Sequence, residues 1–482
     1  MPKQDVIEIL PRGWETDPAD EFLKLAPLDY CVAQVYLNFA LFFKLPESIN
    51  RNTVVDTIRR GLEVTLSQCR QLCGHLEEHP DGGLCFHKKK ESSVELHVQW
   101  LDCPDDEGKY PTFDDLEKCH FSGRALGALE TWSVAAMTYG EKPEAEPKNN
   151  PKTSGFKINF IRGGMVLMMH SHHYCNDING WAACMYQLAE NCAAVWKSPE
   201  SPDYPPWDLA CLDYSAVSKP TPEQLFEGPI TPEKHPDHVP GQWVIFHLPK
   251  SKAAELKSLA SPQDKSYWIS SYDAYLAYIW RIISKHRAKL FKPDLSKSPL
   301  WGEAVNMRTR LHDPPVAKRI QGNIVGTPLS ITSPVPQLTA AEVISEAPLS
   351  KLAWYNRQLT NSATQENLSA VLTQIAAIRD KTALFLRTDS FPPLSNFTTD
   401  WRESKPYDAD FGFAKPCGFR HPFDMPTNGI IIIYPTRTIR APAGEDEGNE
   451  IVISFEKELT KGLLEDPEWN RYFEFRGIDD VE

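Results

Sequence analysis

No stretch of this 482-residue chain is both long and apolar enough to span a bilayer; the longest such run, near Val35 to Phe43, is interrupted by Asn38. The opening residues Met1-Pro2-Lys3-Gln4-Asp5 hold no apolar signal region, so a cytoplasmic protein without membrane insertion is expected. Extended basic runs are missing too, since Lys88-Lys89-Lys90 is short and the formal charge is −14. That balance argues against nucleic acid or an anionic membrane as the main partner. Paired cysteine spacing is absent: the 11 cysteines are odd in number and scattered, which speaks against a disulfide framework and for reduced thiols. Neither HExxH nor CxxC occurs, and Gly82-Gly83 and Gly163-Gly164 lack the spacing of nucleotide-binding loops. No internal repeat is visible, which favours a two-domain α/β or α+β enzyme over a solenoid.

What is present is enough for two cores. The chain exceeds one ordinary domain, and its 41% apolar content and 13 tryptophans can fill two of about 200 to 240 residues each. Proline is abundant, 40 in all, and ten fall between Pro199 and Pro240. Such a stretch cannot be helix or sheet throughout and reads as a linker between domains. The expected division is 1–198, a linker over 199–245, and 246–482. Lys142 to Ser154 and Ala441 to Asn449 read as soft surface segments, the first a mobile insertion. Apolar spacing predicts helices over Asn52 to Leu66, Leu338 to Tyr355 and Leu368 to Arg379, and Ser270 with Asp273 forms a capping box before another. Ile430 to Tyr434 and Ile451 to Phe455 read as neighbouring strands.

The chemistry concentrates in His172-His173-Tyr174-Cys175-Asn176-Asp177. Lys157 to Ile161 and Met165 to Met169, joined through Arg162-Gly163-Gly164, predict a hairpin whose second strand delivers the histidines. Trp181, Cys184, Met185, Leu188, Cys192 and Val195 then recur at helical spacing, with Asp177 at the N-cap position. An imidazole titrates near neutrality and can take a proton from an attacking alcohol or amine. Of His170 and His172, two apart on the strand, one should face water or fill a polar gap. The cluster lacks a recognisable metal-ligand set, so no metal is expected. Cys175 with His173 beside it leaves a nucleophilic thiol open as a minor alternative.

Distant patterns in the same order give the motif its weight. Asp410-Phe411-Gly412-Phe413-Ala414-Lys415-Pro416 resembles the DFGWG motif that accompanies HHxxxDG in the BAHD acyltransferases. Ala304-Val305-Asn306-Met307-Arg308-Thr309-Arg310-Leu311, with Pro314-Pro315 and Gly322-Asn323, resembles the VNxRxR…PP…GN segment of that family. Ser270-Ser271-Tyr272-Asp273-Ala274 and Thr399-Asp400-Trp401 fit two further family segments, and the match runs from about Leu28-Asp29 to Phe455. The chain is therefore similar to a divergent fungal branch of the family, of the kind represented by the trichothecene acetyltransferases. It departs from the pattern at Ile178, where the family has Gly, and at Phe413 and Ala414. A β-branched residue after Asp177 narrows the backbone choices there and puts the pocket's fine shape in question.

The resemblance implies an α/β fold of two similar mixed-sheet domains, of the chloramphenicol acetyltransferase-like CoA-dependent type, with a channel between them. It implies an acyl-CoA-dependent O-acyltransferase, most simply an acetyltransferase, acting on a hydroxyl of a small apolar specialised metabolite. His173 would be the general base, and transfer would be direct in a ternary complex. Asp177 would turn away from the pocket and pair with Arg308, while Asp410 and Gly412 would support the site structurally. Trp401 and Thr399 are the oxyanion or acceptor candidates, and Ser271 is a candidate neighbour of CoA. Acetyl-CoA or another acyl-CoA would be a co-substrate rather than a resident cofactor, and the protein would act as a monomer. The alternatives are an enzyme using the same base for cyclisation, condensation or elimination without CoA, and a non-catalytic binding protein.

Overall fold

Three sheets organise the computed structural model, which describes residues 2–207, 220–317, 319–437 and 446–480. The first sheet begins from the predicted hairpin. Ser154–Ile161 (β7) and Gly164–His172 (β8) pair antiparallel through Arg162-Gly163, where Gly163 takes a φ of 82° that favours glycine. Tyr36–Lys44 (β3), the longest apolar run of the sequence, lies beside β8 and is buried almost throughout. Lys3–Ile9 (β1) and Val94–Trp100 (β6) extend the sheet on one side, with β6 parallel to β7. On the other side sits Gly418–Arg420 (β13), paired with β3. The order is β1-β6-β7-β8-β3-β13. A strand from the second half of the chain thus closes the sheet of the first half, just after the Asp410 motif.

The second sheet has seven strands: Val325–Gly326 (β11), Trp301–Asn306 (β10), Asn396–Asp400 (β12), Ile430–Ile433 (β14), Asn449–Glu456 (β15), Gly241–Leu248 (β9) and Glu474–Ile478 (β16), in that order. β10, β12 and β14 run parallel and the rest antiparallel. The expected neighbours Ile430 to Tyr434 and Ile451 to Phe455 are indeed paired. A small third sheet joins Asp20–Lys24 (β2), Leu84–Lys89 (β5) and His75–Glu78 (β4). The fold is an α/β architecture of two mixed sheets flanked by helices.

Asn50, not singled out in the sequence, caps Arg51–Gln68, accepting from the Thr53 N–H, and the predicted Ser270/Asp273 box opens Ser271–Phe291. Arg51–Gln68 packs against Ile178–Lys197 at Gly61, where a Cβ would come 2.5 Å from the Cys192 sulfur. One apolar core joins β3, β7 and β8 to Trp243, Ile245, Ile432, Tyr434 and Val452 of the second sheet. Burying such a side chain contributes roughly 1.5–3 kcal/mol, so the two halves are held together along an apolar face.

Four expectations need correction. Leu338 to Tyr355 is not one helix: a π-helical turn over Glu342–Glu346 gives way to extended Ala347, and Leu349–Ser362 restarts after Pro348, which cannot donate to the preceding turn. The stretch Lys142 to Ser154 is anchored, since Ala145 is buried and its carbonyl accepts from His172. The linker ends before 245, because β9 starts at Gly241. The stretch 220–240 runs beside 377–391, with Phe226 N–H on the Ala377 carbonyl and His235 N–H on that of Asp389. Residues 208–219 of the linker and 438–445 of the other soft segment lie outside the described residues. Finally, the 246–482 segment is not confined to the second sheet, as β13 shows.

Candidate active site

The loop from His173 to Asp177 stands between β8 and the helix Ile178–Lys197, and hydrogen bonds fix the orientation of His173 and Asp177 within it. The His173 backbone N–H donates to Val35 at 2.9 Å, and ring atom Nδ1 lies 3.2 Å from the Asn176 carbonyl. A carbonyl only accepts, so Nδ1 carries the proton and Nε2 keeps its lone pair. Burial lowers the His173 pKa below the usual imidazole value, which keeps the ring neutral. His173 is the least buried residue of the loop through Asp177, because its ring opens onto a cavity.

Asp177 is turned away from that imidazole and saturated. Oδ1 caps the helix, accepting from Asn179 at 2.9 Å and Gly180 at 2.8 Å. Oδ2 accepts from Arg308 Nη1 at 2.9 Å and from the Ile324 N–H at 2.8 Å. The Arg308 guanidinium also donates to the carbonyls of Ile320 and Gly322. Both side chains are 6% exposed, so this is a buried charge pair, not a solvated arginine. It ties the His173 loop to the segment 320–324 of the second half.

Three partners of this network carried no assigned role in the sequence. Asn176 Oδ1 accepts from the Gly322 N–H at 2.7 Å. Asn323 Nδ2 donates to the carbonyls of His173 and Tyr174, each at 3.0 Å, and to Asp29 Oδ1 at 2.9 Å. Burial pushes the Asp29 carboxyl up to about 7 against those hydrogen bonds. Gly180 is the third: a Cβ there would meet Asn176 Oδ1 at 2.5 Å and the Gly322 carbonyl at 2.7 Å. The close approach that demands a glycine lies at 180 in this chain, and position 178 is free to carry isoleucine.

The other histidines are structural. His170 and His172 are both buried, and neither faces water. His170 bonds the Met137 carbonyl and the Val134 N–H; His172 bonds the Ala145 carbonyl and the Tyr174 N–H. Burial lowers their pKa values to about 3 and about 4. With both nitrogens of each ring used, neither has a lone pair for a metal, and no group of three possible ligands occurs among the described residues. Cys175 is buried and its thiol is pushed well above the usual value, so it lacks the thiolate a nucleophile needs. No disulfide joins any of the described cysteines.

The cavity beside His173 holds about 310 Å³ and lies between the two sheets. Leu37, Phe39, Trp243, Phe397 and Ile432 supply apolar walls. Thr399 and Trp401 line it as well, but the Trp401 indole N–H is spent on Thr399 Oγ1 at 3.0 Å. The hydrogen left to point at a guest is therefore that of the Thr399 hydroxyl. The sequence could not show this internal bond.

Two of the remaining candidates stand apart. Asp410 and Gly412 are exposed, and Asp410 Oδ1 accepts the Gly412 N–H at 2.9 Å. Gly412 has a φ of 84° and presses on Trp196 and Ala193, while the buried Phe411 stacks edge-on against Phe43. Trp196 is eighteen residues from Ile178, about 27 Å along the helix. This motif therefore lies away from the His173 loop and supports it through the helix it clamps and through β3, on which Phe411 packs. Ser271 begins the helix Ser271–Phe291 and is not part of the cavity lining.

Comparison with known proteins gives concordant matches. Residues 35–192 match a trichothecene 3-O-acetyltransferase-like N-terminal domain, and residues 146–469 match the Transferase family. The acetyltransferase FGR3 of Gibberella zeae is 51% identical, across 99% of this chain and 95% of its own length. The trichothecene 3-O-acetyltransferase TRI101 of Fusarium sporotrichioides is 22% identical, across 92% and 94%. Among solved structures, F. graminearum TRI101 complexed with ethyl coenzyme A superimposes with a TM-score of 0.75 at 20% identity, covering 95% of this chain and all of that one. Vinorine synthase gives 0.65 at 18% identity, covering 95% and 96%.

Proposed function

The chain belongs to the Transferase family and is an acyltransferase of the fungal trichothecene-acetyltransferase type, and from that premise we propose that it moves a short acyl group, acetyl above all, from CoA to a hydroxyl of a small apolar molecule. The observation that carries the mechanism is the His173 tautomer: Nδ1–H is fixed on the Asn176 carbonyl, which leaves the Nε2 lone pair for the cavity. Nε2 takes the proton of the acceptor hydroxyl as its oxygen attacks the thioester carbonyl. The Thr399 hydroxyl, oriented by Trp401, donates to the oxygen that gains charge. As the carbon–sulfur bond breaks, the CoA thiolate recovers the proton from His173. No covalent enzyme intermediate is needed, and most of the rate comes from holding two substrates together in an apolar cavity.

Asp177 and Arg308 act in this scheme as architecture, fixing the loop that presents His173, and the chain divides functionally into two halves with the reaction between them. Among the described residues no helix is long and apolar enough to cross a membrane. The test is incubation with acetyl-CoA and a panel of apolar alcohols, reading free thiol and product mass. Thiol release matched by a product heavier by one acetyl group supports transfer. Substrate conversion without CoA would replace it with the cyclisation or elimination reading.

A further inference from the structure

His421 lies in the wall of the cavity and takes no part in the chemistry above. It follows β13, which pairs with β3, and its Nε2 accepts the Asn38 backbone N–H at 3.1 Å. A backbone N–H can only donate, so Nε2 holds the lone pair. Burial above all, with His173 and His170 adding to it, lowers the pKa to about 3. The ring is therefore neutral and carries its one proton on Nδ1.

That Nδ1–H has no acceptor among the described residues. The ring is 1% exposed and is held by Phe39, Tyr139, Trp401 and Phe423, with centroids 4.4 to 5.8 Å away. None of the four accepts from it. Phenylalanine has no lone pair, the Trp401 N–H is itself a donor, and the Tyr139 hydroxyl faces Thr427 Oγ1 at 3.5 Å. All four also line the cavity. Of the buried side-chain nitrogens and oxygens that lack a partner among the described residues, His421 Nδ1 is the only one on a residue of that lining. A buried donor left unpaired is costly, and the void beside the ring is where an acceptor can enter. We propose that His421 recognises a second oxygen of the alcohol substrate, a neutral one such as a ketone carbonyl, which accepts from Nδ1–H while the reacting hydroxyl lies at His173. The substrate class narrows accordingly to apolar alcohols that carry a second neutral oxygen. This rests on the reading of the cavity as the acceptor site given above.

The experiment measures acetyl transfer from acetyl-CoA, on the intact protein, to the bicyclic alcohol β-decalol and to the hydroxydecalones that add a ketone at each other ring position. A buried donor that gains or loses its partner changes binding by roughly fivefold to a hundredfold. At least one ketone should therefore exceed decalol about fivefold or more in kcat/KM. His421→Gln can set Oε1 where Nε2 stands, which keeps the bond from Asn38 and removes the donor at Nδ1. It should bring that ketone within about twofold of decalol and leave decalol within about twofold of wild type. His421→Asn carries an amide N–H at the Nδ1 position and should keep the ketone ahead by about threefold or more. A preference that survives in the glutamine variant or vanishes in both variants, a fall shared by ketone and decalol, or no preferred ketone in wild type overturns the proposal and leaves acyl transfer standing. Should the glutamine variant fail to fold, as judged by its thermal midpoint, nuclear magnetic resonance of wild type carrying isotope-labelled histidine decides: one Nδ1–H signal should move with the preferred ketone and stay with decalol, and no such movement overturns the proposal. Absence of thiol release with every alcohol overturns the acyl-transfer reading and this proposal with it.

Discussion

Replacing Asp177 with alanine should destabilise the protein far more than a surface change, and the size follows from its partners. The carboxylate accepts four hydrogen bonds, from Asn179, Gly180, Ile324 and Arg308. Its loss removes a helix cap, typically about 1 kcal/mol, and strands a guanidinium that is 6% exposed. Breaking a buried pair from one side costs about 3 to 5 kcal/mol, so about 4 to 6 kcal/mol in total is expected. For 482 residues the unfolding entropy is roughly 1 kcal/mol per kelvin, and the thermal midpoint should drop by about 4 to 6 °C. Arg308→Ala should cost about 3 to 5 kcal/mol by the same argument. The double variant leaves neither charge alone, so its loss should fall short of the sum by at least about 1.5 kcal/mol. Thermal unfolding of the four proteins, followed by calorimetry and circular dichroism, closes the cycle. Additive losses would refute the claim that this pair locks the His173 loop to the second half.

Because burial lowers the His173 pKa, the neutral, proton-accepting form persists to lower pH than a free imidazole would allow. kcat/KM should be flat near pH 7 and fall only below the ordinary value of about 6.5, and an apparent pKa above that value in the pH–rate profile would contradict the assignment. Thr399→Val should lower kcat by about 10²- to 10³-fold with little change in KM, the usual loss for one oxyanion donor; steady-state rates with a saturating donor test it, and a loss confined to KM would move Thr399 to ground-state binding. Gly180→Ala should lower the thermal midpoint and the rate together, because its Cβ would stand 2.5 Å from Asn176 Oδ1; a variant with wild-type stability and turnover would show that the turn can give way.

The hairpin β7–β8 and the caps at Asp177 and Ser270 were legible because they are local: two strands two residues apart, or a side chain beside the N–H it caps. The Asp177–Arg308 pair was legible only through the resemblance, since 131 residues separate the partners. What stayed hidden depends on tertiary approach. β13 is three residues long and pairs with β3 across the whole chain, which no periodicity can announce. The break before Leu349 escaped because Leu338, Val343, Ala347 and Leu352 keep apolar spacing through the π-helical turn. Asp29 and Asn323 stood in the sequence only as parts of matched segments, and their role is visible once the fold brings them under the His173 loop. Trp401 offered a donor by composition, and only the geometry shows that Thr399 consumes it.

The most direct measurement of the central claim is the single-turnover rate of free-thiol release from acetyl-CoA, with an accepted alcohol, for wild type and His173→Ala. The account predicts a loss of about 10²- to 10⁴-fold, the usual contribution of a positioned general base. S-ethyl-CoA should still bind, and the thermal midpoint should stay close to wild type, because His173 pairs with no buried charge. A folded variant that keeps more than about a tenth of the wild-type rate, or a stable acyl adduct on the wild-type protein seen by intact mass, would contradict direct transfer by His173.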